Sequence, residues 1–164
     1  MEAFIKKGMH YSFVLPKIYW DKKNLSYDIL FTESCTYNLC TADQYDINKL
    51  FGLSFGFHHN NSIRFGWRWN IETCCIDIFA YAYVNWIRNK ETKIYSAKIN
   101  QVNRYSIKVQ PEIYELTITD LKFGYKTICE IKHGKLNKLG YALHPYFGGN
   151  MKAPHDMEIM FNKH

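Results

Sequence analysis

LFGLSFGFHHNNSIRFGWRWNIETCCIDIFAYAYVNWIR, residues 50–88, decides how the rest of the chain is read. Phe51, Leu53, Phe55 and Phe57 alternate with Gly52, Ser54, Gly56 and His58. Beyond the polar break His59-Asn60-Asn61-Ser62, Ile63, Phe65, Trp67 and Trp69 alternate with Arg64, Gly66 and Arg68. Ile76, Ile78, Ala80, Ala82, Val84 and Trp86 then alternate with Asp77, Phe79, Tyr81, Tyr83 and Asn85. A strand turns successive side chains to opposite faces, so this period of two predicts a meander of three β-strands. Their apolar faces form a core. Their other faces carry arginines, a histidine, tyrosines and glycines, and that wet face is the candidate functional surface.

Outward from this meander the same period recurs. Residues 9–20 read as a strand interrupted by Pro16, whose missing N–H places it at an edge or a bulge. Residues 25–31 and 34–40 read as short strands joined by a tight turn at Thr32-Glu33. In 41–49, Thr41 or Asp43 can cap a single helical turn, with a plain loop as the alternative. Residues 93–99, 105–109, 113–119 and 126–132 alternate again, and His133-Gly134 marks a turn. Residues 140–147 lead into Gly148-Gly149-Asn150, and 156–161 close the chain. About ten strands at eight-to-twelve-residue spacing, with no long helix, predict an all-β antiparallel sandwich of two sheets. One domain spanning 1–164 fits the length.

Composition narrows the partners. Thirteen tyrosines and eleven phenylalanines favour strands. The formal net charge is +6, yet the lysines are scattered and form no basic run. That pattern suits either a solvated surface or affinity for a small anion such as phosphate, sulfate or uronate, and not a long nucleic acid. The five cysteines include no CxxC pair, which argues against a zinc knuckle or redox dithiol. Cys74 and Cys75 are neighbours on opposite strand faces, and with Cys129 they read as small buried side chains. Charges at Glu2, Lys6 and Lys7 leave no apolar signal core, and no apolar run approaches the ~18 residues of a membrane span. Synthesis and residence in a cytoplasm, with reduced thiols, is the expectation.

Residues 50–70 with 76–88, together with YFGGNMKAPHDMEIMF at 146–161, resemble small jelly-roll proteins of the concanavalin A-like lectin/glucanase type. Relatives of this pattern occur among phages and gut Bacteroidetes. The resemblance implies a jelly roll whose last strand pairs beside the first, and a concave sheet whose outward side chains hold a ligand. Lectins, polysaccharide lyases and glycoside hydrolases share that geometry. This chain departs from the enzymes: it lacks the ExDxxE-like carboxylate array of sandwich hydrolases and the Gln-x-His strand of alginate lyases. Clustered Asp and Asn of a legume-type calcium site are also missing.

The candidate ligand-binding residues are His58, Arg64, Arg68, Tyr81, Tyr83, His144 and Tyr146. Arg64 and Arg68 share a face and stand about 13 Å apart by strand rise, a spacing for two anionic groups rather than one. Gly66 between them leaves room for a ligand; the alternative is that each arginine pairs with a carboxylate such as Asp77. Tyr81 and Tyr83 offer flat faces to sugars or bases, unless a loop packs over them. His144 and Tyr146 share a parity that can extend the same face. His58 and His59 point oppositely, so they do not chelate one metal, and neither a metal, a cofactor nor a catalytic residue is assigned. Four readings remain open. They are a lectin-like binder of a glycan or other polar anion, a phage-encoded sponge for a host nucleotide immune messenger, a polysaccharide lyase, and a self-associating virion or fibre component. A phage origin would place the chain in the host bacterial cytoplasm or in the virion.

Overall fold

The computed structural model describes residues 2–15 and 17–163. The strands in chain order are β1 (Glu2–Ile5), β2 (Ile18–Trp20), β3 (Asn24–Phe31), β4 (Asn48–Ser54), β5 (Ser62–Asn70), β6 (Cys75–Val84) and β7 (Ile87–Arg88). They continue as β8 (Thr92–Ala97), β9 (Asn103–Val109), β10 (Ile113–Asp120), β11 (Lys126–Lys132), β12 (Leu139–Leu143) and β13 (Met157–Lys163). One sheet has the order β1-β13-β3-β9-β10-β11. The other runs β2-β12-β4-β5-β6, with β7 and β8 both paired to the free side of β6. All pairings are antiparallel, and the first strand lies beside the last, as in a jelly-roll sandwich.

Aromatic side chains bridge the two inner faces. The ring of Phe31 on β3 meets Trp67 on β5 at 5.4 Å, Tyr105 on β9 meets Phe65 at 5.4 Å, and Tyr114 on β10 stacks on Phe55 at 5.8 Å. Ile63, Phe65 and Trp67 on β5 and Ile76, Ile78, Ala80 and Ala82 on β6 are all sealed in this core. Such burial is the main stabilising term, and its period of two leaves the alternate residues of both strands on the outer face.

Several expectations need correction. Residues 34–40 are not a strand: Glu33–Cys35 form a 3-10 turn, and Tyr37 closes the end of the core beside Trp67. Its hydroxyl accepts from Asn48 Nδ2 at 2.9 Å, which suits an irregular segment better than a ladder. Within 41–49 the expected single helical turn is present, as the 3-10 turn Ala42–Tyr45 with Thr41 at its N-cap position. Of residues 9–20 only Ile18–Trp20 are a strand, with an isolated bridge from Tyr11 to Tyr146; Pro16 lies outside the described residues. Phe57 and Trp86 leave the apolar face, because β4 and β6 end before them and Trp86, at 63% exposure, sits in a left-handed turn (φ 68°). Cys74 is exposed in the turn after β5, and Cys75 and Cys129 are only half-buried.

The alternation in β4 also breaks once. Its register against β5 shifts between Lys49 and Gly52, so Leu50 and Phe51 both enter the core and Lys49 turns outward. A bulge has this effect because two residues oppose one. Trp67→Ala should lower the free energy of unfolding by about 3–5 kcal/mol, read from a urea denaturation midpoint at unchanged slope.

Candidate functional site

The outer face of the larger sheet is built in rows across the strands. Leu143 on β12, Gly52 on β4, Arg64 on β5 and Tyr81 on β6 are successive cross-strand neighbours. The row beside it runs through Ser54, Ser62 and Tyr83, with Tyr141 bound to Ser54 by its backbone N–H and carbonyl. The row on the other side holds Lys49, Gly66 and Phe79, and Tyr146 bridges to Lys49. Small residues therefore make the floor, tyrosines make both walls, and Arg64 is the long side chain rising between them. The resulting groove has a volume of about 560 Å³.

Gly52 is required for this arrangement. A Cβ there would collide with the Ile63 carbonyl and with the Arg64 side chain. Gly66 does not leave room for a ligand as its sequence position suggests: the Ile47 side chain occupies that space. The far wall is held by the pairing of Lys49 and Tyr146 backbones at 2.8 and 3.0 Å, and by Gly148 N–H donating to Asn48 Oδ1 at 2.7 Å.

Arg64 is 8% exposed and makes no ion pair among the described residues. Its Nε has no hydrogen-bond partner, and its guanidinium lies 5.5 Å from the Tyr81 ring centre. Burial lowers its pKa, with the neighbouring tyrosines opposing in part; a guanidinium keeps its charge in proteins. Lys49 reaches over the Tyr81 and Tyr146 rings, 5.5 Å from each, and burial followed by the Arg64 charge lowers its pKa. No carboxylate lines this part of the groove among the described residues.

Burial shifts two of the groove histidines, His58 and His144, toward the neutral form. Burial, the Arg64 charge and then His59 push His58 down to about 4. His58 Nδ1 and the Tyr141 hydroxyl share a hydrogen bond 2.5 Å long. His59 stacks flat on Tyr83 with ring centres 5.0 Å apart. Burial lowers His144 as well, and its Nε2 is buried without a partner.

The structure gathers His58, Arg64, Tyr81, Tyr83, His144 and Tyr146 around this one groove. Arg68 is placed elsewhere, along an adjoining lobe, where it lies 3.6 Å from Asp77 and donates to the Tyr45 carbonyl at 3.1 Å. Burial works against the Asp77 charge, but hydrogen bonds from Lys93 and Asn70 and the charges of Lys93 and Arg68 outweigh it and lower the pKa. The expected pairing with Asp77 thus holds for Arg68 and not for Arg64. Sequence reasoning missed Lys49, Tyr141 and Arg88. Lys49 shares a parity with Phe51 and Leu53, and only the bulge reverses it. Tyr141 was legible in principle, as the residue two before Leu143 on β12.

No group of three or more histidine, cysteine, aspartate or glutamate side chains among the described residues is placed to hold a metal ion. No helix among them is long and apolar enough to cross a membrane. No protein-family model matches the sequence, and no curated protein matches it. Solved structures do share the fold. A scytalido-glutamic peptidase bound to a peptide-based transition-state analogue aligns with a TM-score of 0.59 at 12% identity, over 90% of this chain and 72% of its own. The alginate lyase from Klebsiella pneumoniae gives 0.58 at 10% identity, over 84% of this chain and 56% of the enzyme. At such identities the likeness is one of architecture.

Two measurements follow from the site. His58 should remain neutral down to about pH 4, against 6.5 for an ordinary histidine, in an NMR titration. Between those values the unfolded chain binds more protons, so His58 contributes stability that is complete above 6.5 and lost as the pH falls toward 4. His58→Gln should flatten that part of the stability profile relative to the parent. Arg64→Met should raise the free energy of unfolding by about 1 kcal/mol in urea, since it removes a buried charge with no ion-pair partner.

Proposed function

We propose that the protein is a non-enzymatic, lectin-like binding module that holds a polar anionic ligand, most simply an acidic glycan, in this groove. The observation that carries the reading is Arg64: a guanidinium almost fully withdrawn from water, aimed into a cleft, with no carboxylate to neutralise it. Burying a charge is costly unless something pairs with it, and a carboxylate or sulfate arriving in the groove supplies that partner. Lys49 adds a second positive charge, and Tyr146, partly exposed beside it, adds a flat wall on which a sugar ring stacks. Arg64→Gln should weaken binding of the best acidic glycan from an array by about tenfold to a hundredfold in calorimetry, as expected for hydrogen bonds to a charged group. Affinity unchanged in Arg64→Gln and in Tyr81→Ala would remove the site assignment. A thermal shift with cyclic dinucleotides or ADP-ribose, and none with acidic sugars, would transfer the groove to nucleotide capture.

A lyase reading has one observation in its favour, the His58–Tyr141 pair at the end of the groove beside Arg64. There the arginine would neutralise a uronate while the pair removed the adjacent proton. Against it stands His58 itself, because a base held to about 4 is a weak proton acceptor at neutral pH. Incubation with a panel of polyuronates decides between the two. The binding reading expects no rise in ultraviolet absorbance from unsaturated products, and a rise abolished by Tyr141→Phe would replace it with the enzyme.

A further inference from the structure

Lys49 and Tyr81 line both the Arg64 groove and a neighbouring cavity, and so form the boundary shared by these two lobes. The second lobe, of about 630 Å³, is charged in a different way from the first. Arg68 and Arg88 line it, but so do Asp46 and Glu91. Arg88 lies 3.1 Å from Glu91, and Arg68 is already held by Asp77 and the Tyr45 carbonyl. Arg68 and Arg88 are thus matched by the carboxylates Asp46 and Glu91 in the second lobe, with Lys49 shared between the lobes, whereas the first has Arg64 and no lining carboxylate. The two arginines of β5 are not two anion sites.

We propose that the ligand is an oligosaccharide with a single acidic unit joined to neutral sugars. The acidic group seats against Arg64 and Lys49, and the neutral, hydroxyl-rich extension lies in the second lobe. This deepens the binding reading above and rests on it. The argument is one of complementarity. A sugar hydroxyl both donates and accepts, so it matches a lining that carries both donors (Arg68, Arg88) and acceptors (Asp46, Glu91). A second carboxylate in that lobe would face Asp46 and Glu91 and be repelled, which selects against a homopolymer of uronates. Length points the same way. Arg64 and Arg68 are about 13 Å apart along the strand, further than one sugar ring reaches. Tyr45, exposed on the rim with its ring against Arg68, extends the aromatic wall.

Calorimetry on the full chain with four probes tests this: glucuronic acid, a xylo-oligosaccharide bearing one glucuronate, an oligogalacturonate, and the neutral xylo-oligosaccharide. The singly acidic oligosaccharide should bind at least about tenfold more tightly than glucuronic acid, a gain from hydrogen bonds in the second lobe. Oligogalacturonate should show no such gain. Glu91→Gln, an isosteric change at a half-buried wall residue, should erase most of the gain and admit the oligogalacturonate. Arg64→Gln should abolish binding of every acidic probe. If oligogalacturonate binds tightest, or the neutral extension adds nothing while Arg64→Gln still abolishes binding, the two-lobe inference is overturned and the anion reading stands. If no acidic probe depends on Arg64, both fall together.

Discussion

Trp67, sealed among Phe31, Tyr37 and the rest of the inter-sheet core, fixes which way β5 faces. Everything on the outer surface follows from that packing. A slip of one residue would send the indole into water and drive Arg64 or Arg68 into the sandwich, so the register is strongly determined. With β5 pinned, Arg64 has one direction available. Gly52 on β4 and Tyr81 on β6 then become its neighbours by register rather than by any attraction to it.

The site that results is destabilising to the fold that carries it. A guanidinium is withdrawn from water over Gly52, and Asp77, the carboxylate of the neighbouring strand, is held by Arg68, Lys93 and Asn70. Lys49 is brought beside that charge by a bulge. His58 responds by giving up its proton, which spares the groove a third positive charge. Local conflict of this kind, in a chain whose other levels agree, is what motivates the binding reading proposed above. The adjoining lobe has the opposite character, since its ions already neutralise one another.

The sandwich, the core faces of β5 and β6, and the outward facing of Arg64, Tyr81 and Tyr83 were legible as strand parity, because alternation is a property of the local backbone, whereas His58, His144 and Tyr146 reach the groove from beyond the strand ends. Alternation also gave the wrong answer where the backbone stops being a strand. Phe57 and Trp86 keep the phase of their neighbours in sequence and lose it in space, where the chain turns. Residues 34–40 look like a strand because Cys35 and Tyr37 are buried, yet they are buried as a plug at the end of the core.

What the sequence determined by itself, then, is the set of side chains that must share a face, since that depends only on spacing along one strand. What the tertiary structure decided is which strands lie side by side and where the ladder slips. Those two choices pair Arg68 with Asp77 and leave Arg64 without an ion pair, turn Lys49 outward, and bring Tyr141 from β12 to His58. The physical reason is that charge neutralisation and pocket walls are made between strands far apart in sequence. No periodicity within a single strand carries that information.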